Sequence, residues 1–381
     1  MNILSLILNC FKDSGKMLWS AILLISIYSL LLVGSVSRER FNYFTVQFIS
    51  IVIGLIGAIS LQLLDYKSIS KQWKWIGAVC ILLMLYTLFF GVAVEGSSGV
   101  NARAWIKLPG NITFQPSELV KIGFIITFAK HLFELKQSGE LNKFNNICWL
   151  AAHALIPVVL THFQGDDGAA VIFLCISLTM AFMAGVKFRY FLSLGALGAI
   201  IAPLAWKFLL KDYQRNRLLS QLNPEADPLS SGYQQIQGKL SIGSGGIFGY
   251  GLFKGPRVAN NVVPIQESDF IFSVSGEELG FIGCMLILIL LVTLIMRIGF
   301  IAKTSSSTIG ALMCFGFIGL IASQAIFNLG MCLSLFPVMG VTLPFFSVGG
   351  SSAACLYLAI GIIQNIYISR DQTKKLPEYM S

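Results

Sequence analysis

The sequence predicts an all-α polytopic membrane protein of about ten transmembrane helices, with a large extracytoplasmic loop before the eighth. Three observations carry this. Hydrophobic residues make up 55% of the 381-residue chain and charged residues only 12%, with a mean hydropathy of +0.76. A soluble domain carries about 25% charged residues, and no water-soluble fold can hide so much apolar surface. Apolar runs recur at the length of roughly 20 residues that crosses a hydrocarbon core. Lysine and arginine fall in alternate connections, as they do when cytoplasmic loops hold the positive charge.

Taken in order, the runs cover about 17–36, 43–64, 74–95, 117–134, 147–163, 169–186, 190–210, 270–296, 308–334 and 350–369. The first follows Lys12 and Lys16. It is too long for a signal-peptide core and lacks a small-residue cleavage site, so it is expected to remain as the first span. The fourth contains Glu118, Lys121 and Lys130 and is among the least clean. With the N-terminus inside, the short inside segments carry Lys12, Lys16, Lys67, Lys71, Lys136, Lys143, Lys187, Arg189, Arg297, Lys303, Arg370, Lys374 and Lys375. The short outside loops carry little beyond Arg38, Arg40, Arg103 and Lys107. Both termini are therefore predicted to be cytoplasmic.

Two outside loops are large, one at about 96–116 and the other at 211–268. The second is rich in Gly, Pro, Asn and Ser and includes Gly243-Ser-Gly-Gly-Ile-Phe-Gly. That composition reads as a tightly turned, flexible surface loop; with no preceding strand and no G-K-[ST] ending it is not a nucleotide loop. No repeat or linker divides the chain, so residues 1–381 read as one membrane domain. The formal net charge of +9 fits cytoplasmic loops meeting anionic lipid, and no basic-aromatic surface suggests nucleic acid. The eight cysteines form no C-x-x-C pair, and His131, His153 and His162 have no metal-ligand spacing.

An ionisable group in a span needs a partner or a task. Glu118 and Lys121 lie three apart on one helix face and can pair, as a structural neutralisation or as part of a site. Asp166 and Asp167 sit in the short Gln164–Gly168 connection; capping explains one carboxylate more easily than two. Asp269 enters the eighth span as a helix cap or as a general base at the membrane face. Glu277 and Glu278 follow one to two turns deeper and argue against a purely lipid-facing helix. Trp105 beside Arg103 suits an interfacial anchor or a hold on a charged, sugar-bearing head group. Gln324, Asn328 and the Leu343–Ser352 stretch suggest helix joining and a re-entrant, cavity-lining segment.

Together these segments resemble the SEDS family (shape, elongation, division and sporulation), which includes RodA, FtsW and SpoVE. The matching residues are Ala102-Arg103 with Trp105, Gln115-Pro116-Ser117-Glu118 with Lys121, and Gln164 with Asp166 and Gly168. They continue with Asp227-Pro228, Gly232-Tyr233-Gln234, Gly243–Gly246, Ser268–Phe272 and Gly276–Gly280, then Gln324 with Asn328 and Leu343-Pro344 through Gly349-Gly350-Ser351-Ser352. Departures are Glu267 before Ser268-Asp269, Gly165 and Asp167 in the short turn, Asn101 before Ala102, and Ser334 and Met339. None removes a charged residue that the resemblance carries over.

The resemblance implies a ten-helix fold and peptidoglycan glycosyltransferase activity on lipid II at the outer face of the bacterial cytoplasmic membrane. It also implies a class B penicillin-binding protein as partner, alongside other cell-wall elongation proteins. A short chain without a long N-terminal extension looks most like RodA, with FtsW and SpoVE as alternatives. Asp269 is then the expected base. Arg103, Lys121, Arg215 and Arg217 are candidates to stabilise the leaving pyrophosphate, with Glu118 and Asp166 beside them; Gln115, Ser117, Trp105, Gln324, Asn328 and Ser351 are expected to bind substrate or support the site. A divalent cation, Mg or Mn, is an expected helper. The rival from another class is a lipid II flippase or transporter, since polar residues in broken helices suit transport equally.

Overall fold

The computed structural model describes residues 15–37, 41–93, 102–108, 112–208 and 232–374. Among these residues, ten long helices stand where the apolar runs predict them. They are α1 (Lys16–Val36), α2 (Phe41–Leu63), α4 (Trp73–Phe90), α5 (Pro116–Gln137), α6 (Phe144–Phe163), α7 (Asp167–Ala184), α8 (Phe188–Phe208), α11 (Ile271–Thr304), α12 (Thr308–Cys332) and α13 (Gly350–Lys374). Short helices α3 (Tyr66–Lys71), α9 (Tyr233–Ser244) and α10 (Pro256–Ala259) lie in connections, with a two-stranded antiparallel hairpin of β1 (Ile106–Leu108) and β2 (Ile112–Phe114).

Eight of the ten are long and apolar enough to cross a bilayer. Of the other two, α8 is a shorter apolar helix over Phe188–Leu204, and α5 carries the ionisable residues noted above. Leu23, Ile27, Ile53, Ile56 and Leu82 stand exposed. Lipid, not water, suits these faces, because each helix satisfies its own backbone. Since consecutive helices alternate in direction, the connections after α1, α4, α6, α8 and α12 gather at one end, called here the far end. The starts of α1 and α4 lie at the near end.

Local sequence sets the ends. Pro116 opens α5 with the fixed φ a first turn needs, and Glu118 sits in that first turn. Asp166 caps α7, and Gly185 stops it at φ 99°, a left-handed geometry that favours glycine. At the near end Asn365 of α13 closes α2 and α3: its amide donates to the carbonyls of Gln62 (2.8 Å) and Leu64, and its oxygen accepts from Tyr66 N.

Helices α2 and α13 pack by small residues. A Cβ on Gly361 would lie 2.5 Å from the Ala58 carbonyl oxygen, and one on Gly54 would lie 2.7 Å from Tyr357 Cβ. Close backbone approach of this kind joins helices in lipid, where no hydrophobic force separates them from the tails. Gly361→Val is expected to overpack this contact by about 1–3 kcal/mol and to lower the thermal unfolding midpoint in detergent by several degrees. An unchanged midpoint would show that the contact has slack.

Two expectations need correction. The eighth span was expected at 270–296, but α11 runs to Thr304 and is broken at Gly280 (φ 63°, ψ −157°). The part beyond the break is about 36 Å long at 1.5 Å per residue, enough to cross the membrane. The part before it, Ile271–Leu279, is enclosed by protein. The 211–268 loop was expected to be flexible turns, yet in its described part Tyr233–Ser244 is helical. Packing overrides composition here: Gly238 lies against Phe270, where a Cβ would come within 2.7 Å. The Gly245–Gly251 turn pairs with α11 at its break, Tyr250 N donating to Glu277 O (3.1 Å) and Gly251 N to Glu278 O (2.8 Å).

Candidate active site

The start of α5 builds the first polar cluster at the far end. The i,i+3 spacing brings Lys121 Nζ within 2.8 Å of Glu118 Oε1, with the two side chains only 2% and 9% exposed. Gln115, the residue before Pro116, holds two neighbours. Its backbone N–H donates to Ser351 Oγ on α13 (3.1 Å), and its side-chain amide donates to Asp166 Oδ2 (2.8 Å). The other Asp166 oxygen accepts from Ala169 N (2.9 Å) and caps α7. Burial pushes the Asp166 carboxyl above the ordinary range; the Ala169 N–H and the Lys121 charge oppose that, and Glu118 adds to it. These groups therefore share one electrostatic neighbourhood.

The adjacent Asp167 turns outward and pairs with His162 (2.6 Å), both exposed. Capping explains Asp166 and this pair explains Asp167. Arg103 is exposed at the mouth, its backbone N–H bonded to Gln164 O (2.9 Å). Trp105 pairs with Val92 through backbone bonds of 2.8 and 3.3 Å and leads into the β1–β2 hairpin. Arg215 and Arg217 lie outside the described residues.

Asp269 centres a second cluster. The chain reaches it through a turn at Ile265 (φ 55°), whose carbonyl accepts from Ser268 N and Asp269 N. The cap reading is not what the structure shows: Phe270 is the residue before α11, and no side chain caps that helix. Asp269 is 5% exposed. Its Oδ1 accepts from Ser268 Oγ (3.1 Å), and among the described residues that is the side-chain bond its carboxylate makes. Burial, with the Glu267 carboxylate nearby, pushes it up to about 6 against the pull of the Ser268 hydroxyl. That value suits a general base near neutral pH.

No hydrogen bond or ion pair joins Asp269 directly to Glu118, Lys121 or Asp166 among the described residues. The 333–349 segment, irregular as the re-entrant reading expects, connects them instead. Asn328 Nδ2 donates to Asp269 O and to Val341 O, both at 2.8 Å. Val348 N donates to Glu267 O (2.9 Å), and Ser347 Oγ donates to Ser268 O. On its other side the segment lies on Gly168, where a Cβ would sit 2.3 Å from Met339 O. It then runs into α13 and Ser351.

Among the described residues, the buried polar atoms without a partner include Ser117 Oγ and Gln324 Oε1. Gly316 of α12 packs on Ile125 of antiparallel α5, and counting eight residues along each helix puts Gln324 and Ser117 at one level. Orphaned polar atoms at that depth mark a wet or ligand-facing interior.

Sequence reasoning noticed Glu277 and Glu278 without finding their task. Glu277 Oε1 accepts from Arg257 N (2.6 Å) and Val258 N (3.2 Å); Glu278 Oε1 accepts from Ser35 Oγ (2.6 Å) and Gly255 N (3.3 Å). They anchor α10, and Gln266 continues the chain of contacts by donating to Val258 O (3.0 Å) just before the Asp269 turn. Two adjacent carboxylates in an apolar run were the available signal; their partners, in a Gly-rich loop about twenty residues earlier and at Ser35 on α1, were not.

Comparison with known proteins adds the remaining finding. The family described as cell cycle protein, FtsW/RodA/SpoVE, matches residues 15–372. The chain is 32% identical over 354 residues to the peptidoglycan glycosyltransferase MrdB of Escherichia coli K12, covering 93% of each. It is 36% identical over 308 residues to a probable peptidoglycan glycosyltransferase FtsW of Geobacter sulfurreducens, covering 80% of this chain and 79% of that one. Among solved structures, a chain of a peptidoglycan synthase complex that coordinates polymerization and crosslinking superposes with a TM-score of 0.81. It is 28% identical, with 94% of this chain and 99% of that chain covered.

Proposed function

The chain belongs to the FtsW/RodA/SpoVE family, and from that premise we propose that it is a peptidoglycan glycosyltransferase polymerising lipid II at the outer face of the bacterial cytoplasmic membrane. The observation that carries the reading is the enclosed Asp269 carboxyl, raised to about 6 and joined through the 333–349 loop to the Gly168 turn beside Asp166, which lies in the field of the buried Lys121. The basic residues Lys67, Lys71, Lys136, Lys143, Lys187 and Lys303 at the near end support cytoplasmic termini and an outward-facing site.

A sugar hydroxyl is a weak nucleophile. Asp269 takes the proton from the acceptor's 4-hydroxyl as that oxygen attacks the anomeric carbon of the growing chain. The bond from that carbon to the polyprenyl diphosphate breaks, and the electron pair leaves with the diphosphate. Lys121 and the exposed Arg103 offset its charge, with Arg215 and Arg217 as further candidates. One base and a phosphate leaving group give a single inverting displacement, unlike the paired carboxylates of glycosidases. No three His, Cys, Asp or Glu side chains gather among the described residues. Asp166, whose oxygens each accept one hydrogen bond and keep a lone pair spare, is the residue that would hold a magnesium or manganese ion, which would supply positive charge against the leaving diphosphate.

The partner is a class B penicillin-binding protein, whose crosslinking would follow this polymerisation; the synthase complex with the same fold supports that pairing. The test is lipid II polymerisation by the purified protein in vesicles, with and without such a partner. Glycan strands are expected, lost with EDTA and restored with Mg²⁺ or Mn²⁺. Movement of lipid II across sealed vesicles with no polymer would replace this reading with a flippase.

A further inference from the structure

Asn328 is wholly buried on α12 and spends both hydrogens of its amide on main-chain carbonyls of two other segments, Asp269 O and Val341 O. Neither carbonyl belongs to α12. One carries the base; the other belongs to the loop that lies on Gly168 and leads to Ser351, Gln115 and Asp166. We propose that Asn328 is a positioning residue, a clasp that fixes the Asp269 turn and the 333–349 loop at one spacing, so that base and leaving-group cluster stay in register. The clasp rests on the reading of Asp269 as the base.

Three features favour this over ordinary packing. Both bonds are 2.8 Å; without them the Val341 carbonyl would lose its side-chain donor and the Asp269 carbonyl would keep only a weak thiol donor. Cys332, one turn further along α12, adds a thiol donor to the same Asp269 carbonyl (3.6 Å), so two residues of one helix face hold the same atom. The cross-bonds from Ser347 and Val348 reach Ser268 and Glu267 but leave Asp269 itself to α12. With the Asn328 bonds gone, only the weak Cys332 thiol holds the Asp269 carbonyl, and the residue can shift against the loop by a fraction of the distance that separates hydroxyl and base. A misplacement near 1 Å costs about a hundredfold in rate.

The experiment compares Asn328→Ala with Asn365→Ala in the full chain with its partner, using lipid II as substrate. Asn365 is a matched control, a buried amide bonding two carbonyls at the near end. Expected for Asn328→Ala is a fall in kcat of about a hundredfold with KM unchanged. The acid limb of the pH profile should also move from about 6 toward the ordinary carboxylate range, because a loosened Asp269 gains solvent. The groups facing Asp269 are Ser268 and Glu267 on its own segment and Cys332 on α12, and none of these changes. Asn365→Ala is expected to lose thermal stability but keep kcat per folded molecule and the limb near 6. Wild-type kcat and limb in Asn328→Ala overturn the clasp, as does an equal kcat loss in Asn365→Ala. If Asn328→Ala does not fold, Asn328→Ser, with one donor left, is read on the same two measures. A wild-type enzyme that polymerises with no limb near 6 overturns the base reading itself, a separate result.

Discussion

Asp269→Asn is expected to cut lipid II polymerisation by about 10²–10⁴-fold, the usual worth of a positioned general base, while the protein folds and binds its partner normally. Asparagine has the shape of aspartate, and its oxygen can still accept from Ser268 Oγ. What it cannot do is take a proton. Folding should not suffer, because the substitution removes a carboxylate from an enclosed place and leaves the Asn328 bond to the main chain intact. The pH profile sharpens the test. Below about 6 the Asp269 carboxyl is protonated and cannot act as a base, so wild-type kcat/KM should fall as pH drops through that value. Residual activity of the variant should run flat across the same range. Near-wild-type turnover in the variant would remove Asp269 from the chemistry.

The sequence already showed what local spacing determines. Glu118 and Lys121 had to share a helix face, and they pair. The ten apolar runs became ten helices, most of them within a few residues, because span length is set by the bilayer and not by tertiary detail. Other features depended on contacts between distant residues, which a single sequence does not display. Gly280 reads as one more glycine in an apolar run; only the approach of Ile247, whose carbonyl lies within 2.5 Å of a Cβ built there, shows why the helix breaks. Asp269 read equally as a cap, and the turn at Ile265 decides against it. The match of ordered motifs to a family supplied the remaining order: it placed Asp166, Ser351 and Asn328 in one argument before any distance connected them.

The largest stability effect is expected at Lys121, and it separates structure from function where sequence could not. Lys121→Met leaves Glu118 enclosed without its cation. Breaking a buried pair from one side costs about 3–5 kcal/mol, so this variant should express poorly and melt early. Adding Glu118→Gln removes the stranded charge, and well-packed neutral replacements of a buried pair are often no less stable than the pair. The double variant should therefore recover its thermal midpoint in detergent. Activity should not recover with it. Asp166 lies in the field of Lys121, and the diphosphate leaves beside that cluster, so the missing cation removes charge stabilisation worth about 10²–10³ in rate. A pair that served the fold alone would give the opposite outcome, with stability and polymerisation returning together.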